Sequence, residues 1–144
     1  MTPALHRTFA VIATLSVIGA VVWGFVVVGS PDTRRHQRLD ERRLEHLQTI
    51  QREIQELVID EDFPGTLRSA LPATLEELAT RAKTRKIESS DPETGAPYVY
   101  RVLSDTTYEV CATFALPRDM RREVFWNHPA GAHCFTIDVL DPPR

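Results

Sequence analysis

Phe9 to Val28 constrains this chain more than any other stretch. Its twenty consecutive residues, FAVIATLSVIGAVVWGFVVV, carry no charged side chain. At about 1.5 Å of rise per residue they make a helix of roughly 30 Å, the thickness of a bilayer's hydrocarbon core. A signal peptide has a shorter apolar region of roughly 7–15 residues, although Val27-Val28-Gly29 would pass as a weak cleavage site. A buried core helix is the poorer reading, because so small a domain cannot surround twenty apolar residues. The expectation is an uncleaved transmembrane anchor, with Trp23 against lipid or a partner helix. The expected organisation is a tail at 1–8, a transmembrane helix at 9–28, a juxtamembrane amphipathic helix at 29–60 and a small α+β domain at 61–144.

The rest of the chain is polar and long enough for one compact domain. All twenty acidic residues and sixteen of the seventeen Lys and Arg residues lie beyond the apolar run, leaving that part mildly acidic. Nucleic-acid binding needs a basic footprint, so no nucleic-acid partner is expected. Arg7 alone precedes the span, whereas Arg34, Arg35, Arg38, Arg42 and Arg43 follow it closely. Counting positive charge places the C-terminal domain on the cytoplasmic side.

Ser30-Pro31-Asp32-Thr33 is a helix start signal, with Asp32 or Thr33 as cap. From Arg34 to about Ile59 there is neither Pro nor Gly, and Leu39, Leu44, Leu47, Ile50, Ile54, Leu57 and Val58 form a stripe at helical spacing. That stripe either packs on the chain's own domain or forms a coiled-coil contact with another protein. Charge pairing is not the organising force along this helix. The basic start, with Arg34 and Arg35, is a candidate contact for lipid phosphates or a partner. Asp60-Glu61-Asp62 followed by Pro64-Gly65 reads as a helix end rather than a metal site. Thr74 and Glu77 form a capping box for a short helix to about Lys83 that buries Leu75, Leu78 and Ala79.

Three strands follow. Asp91-Pro92-Glu93-Thr94-Gly95 is a turn with a left-handed glycine. Tyr98–Leu103 and Thr107–Ala115 make a hairpin, and His133–Leu140 is the last strand. A looser stretch from Pro117 to Gly131 carries Trp126 and His128, candidate partner or ligand contacts. The fold class is therefore α+β: an N-terminal transmembrane helix, an amphipathic neck helix, a short second helix and a small antiparallel sheet of about three strands.

Cys111 and Cys134 are the only cysteines. A disulfide between them would close a loop of about two dozen residues, contribute on the order of 3 kcal/mol and require an oxidising compartment. Two reduced, buried thiols are the alternative. A zinc site with His128 and His133 is disfavoured, because adjacent residues on a strand point to opposite faces. No Gly-rich phosphate loop, GxSxG or HExxH is present, so neither an enzyme nor a bound cofactor is expected.

Leu71-Pro72-Ala73-Thr74-Leu75-Glu76-Glu77-Leu78 is similar to the LPxSLxxL segment that follows the long helix of type IV pilins and pseudopilins. Asp91-Pro92-Glu93-Thr94-Gly95-Ala96-Pro97-Tyr98-Val99-Tyr100 is similar to their DPxTGxPYxY segment. YEVCATF from Tyr108 and HPAGAHCF from His128 resemble the ends of membrane-anchored relatives of that group. The likeness covers roughly residues 36–140. The prepilin leader is not matched: Arg7-Thr8-Phe9-Ala10-Val11-Ile12 lacks the Gly before Phe and the Glu five residues into the helix. In some pseudopilins the loop near the DP motif holds calcium, but Asp91 and Glu93 alone do not announce a full oxygen shell, and no metal is expected. The resemblance implies a single-pass protein of the bacterial inner membrane whose C-terminal domain is periplasmic, against the arginine count. It further implies a structural subunit of a larger complex, with the bilayer and other membrane-protein subunits as partners. A tethered ligand- or metal-binding module is the second reading.

Overall fold

A computed structural model describes residues 3–28, 30–60, 63, 65–82 and 86–143. The fold is α+β, and the chain divides into two compact units, Met1–Arg35 and His36–Arg144. Helix α1 spans Pro3–Val28. Its window Arg7–Gly24 is long and apolar enough to cross a membrane, and none of that window is buried. Trp23 is among its exposed side chains.

Helix α2 spans Pro31–Val58. Its cap is Ser30 rather than Asp32 or Thr33: the Ser30 hydroxyl accepts from the backbone N–H of Thr33 at 3.2 Å. Pro31 then occupies the first helical position, where its missing N–H costs nothing. The boundary between the two units falls inside α2, not at its end. The expected stripe is real from Leu44 onward: Leu44, Leu47, Ile50, Ile54 and Val58 are buried, while Leu39 and Leu57 are half-buried. These residues join the core of the second unit, so the stripe is covered by the chain itself.

Helix α3 is Leu75–Arg81. The Thr74 hydroxyl accepts from Glu77 N–H at 3.1 Å, and the Glu77 carboxylate accepts from Ala73 N–H at 2.7 Å. This is the capping box with its return bond one residue early. Leu75 and Leu78 are buried, but Ala79 is exposed, because so short a helix turns only one edge to the core. The expected end at Lys83 and the acids Glu61 and Asp62 lie outside the described residues.

The sheet has three antiparallel strands in the order β1 (Val99–Val102), β2 (Thr107–Phe114), β3 (Gly131–Asp138). Both pairings are between strands adjacent in the sequence, and β3 starts two residues earlier than the sequence pattern suggests. Gly131 allows this early start, since its φ of +100° is one that few other residues adopt. Period-two alternation puts Tyr108, Val110, Ala112, Phe114, Phe135 and Ile137 into the core. Glu109, Cys111, Thr113, Cys134 and Thr136 fall on the opposite face of the sheet.

Candidate functional site

The polar interior of the second unit is organised by Arg43. It sits on the same side of α2 as Leu44 and Leu47 and is only 4% exposed. Its Nε donates to Asp91 Oδ2 at 2.5 Å and its Nη2 to Asp91 Oδ1 at 3.2 Å, a bidentate pairing. Nη1 reaches Asp40 at 2.7 Å, and Nη2 also reaches Glu93 at 3.0 Å. The carboxylates have further duties. Asp91 Oδ1 accepts from the backbone N–H groups of Glu93 and Thr94, which builds the turn ending at Gly95. Asp40 accepts from the N–H groups of Ala115 and Leu116, just beyond β2. One guanidinium therefore ties α2 to the DPETG turn and to the exit of the central strand. The Arg43 guanidinium holds the Asp91 carboxyl well below the usual carboxylate range. Charge pairing, set aside as an organising force from the sequence, does organise this region, and it does so across long range rather than along the helix.

A second polar region lies on the other side of Asp40. The stretch after β2 doubles back on itself: Arg118 N–H donates to His128 O at 2.9 Å and His128 N–H to Arg118 O at 3.1 Å. Asn127 closes the loop by bonding both the N–H and the carbonyl of Met120, at 2.7 and 3.2 Å. Its 3-10 turn, Val124–Trp126, drives Trp126 onto Phe135 with ring centres 4.9 Å apart. The His128 ring stacks on Phe114 at 3.6 Å. Both Trp126 and His128 are 5% exposed. The loop expected to offer Trp126 and His128 as contacts therefore holds both side chains inward, through its own paired backbone.

The His128 ring has one of its two nitrogens bonded. Its Nδ1 lies 3.1 Å from the Pro129 carbonyl, which fixes Nδ1 as the protonated nitrogen, and its Nε2 has no hydrogen-bond partner. Burial pushes its pKa below the ordinary imidazole value, so the ring is neutral and Nε2 is an acceptor. The same ring lines a cavity of about 360 Å³ together with Asp40, Glu41, Leu44, Asp119 and Met120. A separate cleft of about 440 Å³ runs beside Arg43, Asp91 and Glu93.

The sulfurs of Cys111 and Cys134 are at disulfide distance, 2.09 Å, and the two residues are direct cross-strand partners. Cys134 is exposed on the face of the sheet away from the core. Among the described residues, the ligand-type atoms that gather within 4.8 Å of one another are those of Glu109, Cys111 and Cys134, so His128 and His133 do not join the cysteines. Arg34 and Arg35 are exposed in the first turn of α2. No local signal in the sequence singles out Arg43, Asp40 or Glu41. Arg43 was one of five arginines in a charged run, and its burial rests on partners 48 and 50 residues away.

No family model, no curated protein and no solved structure matches this chain.

Proposed function

We propose that this protein is a non-catalytic, single-pass membrane protein whose pilin-like domain serves as a structural or assembly subunit of a larger envelope complex. The observation that carries this reading is the combination of an exposed apolar helix with a domain built by one long helix against a three-stranded antiparallel sheet. The DPETG segment adds to it, since the turn that resembles the pilin motif is the one Arg43 clasps. Purification in mild detergent brings down stoichiometric partner subunits on this reading. A clean monomer would sink it.

The same reading puts the chain in the bacterial inner membrane with its C-terminal domain in the periplasm. Sulfurs at bonding distance support that side, because thiols stay reduced in the cytosol. An alkylating reagent that does not cross the inner membrane, applied to intact cells, labels Cys111 and Cys134 only after reduction if the domain is outside. Labelling that needs lysis but no reductant reverses the orientation. The cavity beside His128 favours a second reading, a tethered binding module. Trp126 fluorescence during titration with calcium, zinc and candidate ligands separates the two, since a scaffold gives no response.

A further inference from the structure

We infer that the outer edge of β3 pairs, antiparallel and about a twofold axis, with the same edge of a second copy of this chain. The inference rests on the subunit reading, of which it names one neighbour, and the test below separates the two.

The ladder decides which backbone groups of β3 are free. Leu103 N–H donates to Thr107 O at 2.8 Å, and Val139 N–H donates to Thr106 O at 2.9 Å. In an antiparallel sheet a residue turns its N–H and C=O to the same side, and successive residues alternate. The odd-numbered residues of β2 therefore face β1, and the even-numbered ones face β3. On β3 the residues that answer them are odd-numbered too. Ala132, Cys134 and Thr136 turn their backbone groups away from the sheet, and all three are exposed. The Cα atoms of Cys111 and Cys134 are 4.0 Å apart, which agrees, because the closer pairs of such a ladder are those without hydrogen bonds. Among the described residues, no hydrogen bond reaches these three outward N–H groups or their carbonyls.

Folded proteins normally blunt an open edge with charge, proline, a bulge or short length. β1 follows that rule. It has four residues, carries Arg101, and its approach is covered by Tyr98 N–H donating to Ser89 O and by the bridge between Ser90 and Pro97. β3 has eight residues and pairs with β2 in one unbroken register. Its stretch from Gly131 to Ile137 holds no proline, acid, lysine or arginine. Register and charge then select the occupant. Cys134 is the middle of the three outward residues, so the register that uses all of them sets it opposite its own copy. Ala132 then stands opposite Thr136 of the second copy, and Asp138 opposite Ala130, so no like charges meet. The pairing exchanges about six backbone hydrogen bonds and continues the sheet from one copy into the next. A contact about a twofold axis must be complementary to itself, and this neutral edge is. Pairing β3 with β1 of the next copy would repeat without closing, and the short, covered edge of β1 opposes it.

The experiment uses the full chain in detergent micelles, with amide hydrogen exchange read residue by residue as the protein concentration rises. The amides of Ala132, Cys134 and Thr136 are expected to slow by about tenfold or more from dilute to concentrated samples. Those of His133 and Phe135, which face β2, should stay constant. Two double variants then fix the register, both at exposed positions. A132K/T136K sets lysines opposite each other across the pairing and should weaken self-association by about tenfold. A132K/T136E carries as many substitutions but sets opposite charges face to face, and should stay within about threefold of the natural chain. The exchange result on the natural chain stands by itself if either variant fails to fold. Outward amides that exchange fast at every concentration overturn the inference, and a dimer held by α1 alone would show that pattern. So do equal weakening in the two double variants, no weakening in A132K/T136K, growth beyond two copies, or protection that appears only when a different protein is added. Stoichiometric other subunits with fast outward amides keep the subunit reading and lose the inference. Self-pairing in a chain that brings down no other subunit keeps the inference and loses the larger complex.

Discussion

The knot around Arg43 and the cavity beside His128 meet at Asp40, yet they handle charge in opposite ways. In the knot every carboxylate is spent: Asp40 and Asp91 both answer Arg43 and backbone N–H groups at once. Across Asp40, the next residue along the helix, Glu41, is exposed, enters no salt bridge among the described residues, and lines a cavity with Asp119. The difference separates two uses of polar groups. Saturated groups fix which elements lie together. Exposed ones are left to water. A buried ion pair is weak evidence for stability in itself, because apolar residues of similar volume often do as well. The Arg43 knot is better read as a register device that holds α2, the DPETG turn and the exit of β2 in one arrangement.

The largest effect should come from cutting the knot at its centre. Arg43→Met leaves Asp40 and Asp91 buried without a counter-charge and should cost about 3–5 kcal/mol in urea unfolding. A loss below 1 kcal/mol would show that the knot is an ornament of the surface and would erase the contrast with the cavity. Next comes the tie outside both regions. Reducing the Cys111–Cys134 pair, or replacing both with Ala, should lower stability by about 3 kcal/mol, read as the melt with and without a dithiol.

The sharpest comparison is between neighbours. Asp40→Asn disturbs hydrogen bonds to a charged, buried group and should cost about 2 kcal/mol. Glu41→Gln should change stability by less than about 0.5 kcal/mol, as should Asp119→Asn. If both sides of that pair cost the same, the cavity's carboxylates are structural after all.

Acid titration separates the two regions by pH. Asp91 has a folded pKa depressed by Arg43, so its stabilisation is present above the ordinary carboxylate value near 4 and is lost as the pH falls further. His128 is held neutral by burial, so the unfolded chain gains a proton first, and stability starts to fall as the pH drops through about 6.5. Arg43→Met should flatten the lower of the two slopes and leave the upper one. Hydrogen-ion dependence of the melting temperature measures both. A single slope below pH 4 would mean that His128 is protonated in the fold.

Much of the architecture was legible because it is local or repetitive. The stripe Leu44, Leu47, Ile50, Ile54, Val58 follows helical geometry and needs no knowledge of its partner. The capping residues of α3 act within four positions of each other. The strands alternate, and the pairing of Cys111 with Cys134 follows from two adjacent antiparallel strands. The candidate site was less legible. Trp126 and His128 were noticed as chemistry-bearing residues, but their burial depends on a backbone pairing between Arg118 and His128 that no short motif announces. Arg43 looked like its exposed neighbours Arg38 and Arg42, and Glu41 like any helix-surface acid.

The sequence by itself determined an apolar helix able to span a membrane, a capped amphipathic helix and a hairpin-rich α+β domain. Periodicity, capping and turn chemistry act over a few residues and survive without tertiary contacts. Only the tertiary structure decided which arginine is buried, which carboxylates it satisfies and which are left open beside His128. Those outcomes depend on desolvation and on partners tens of residues apart, and a charge in a sequence does not say whether it will meet water or another charge.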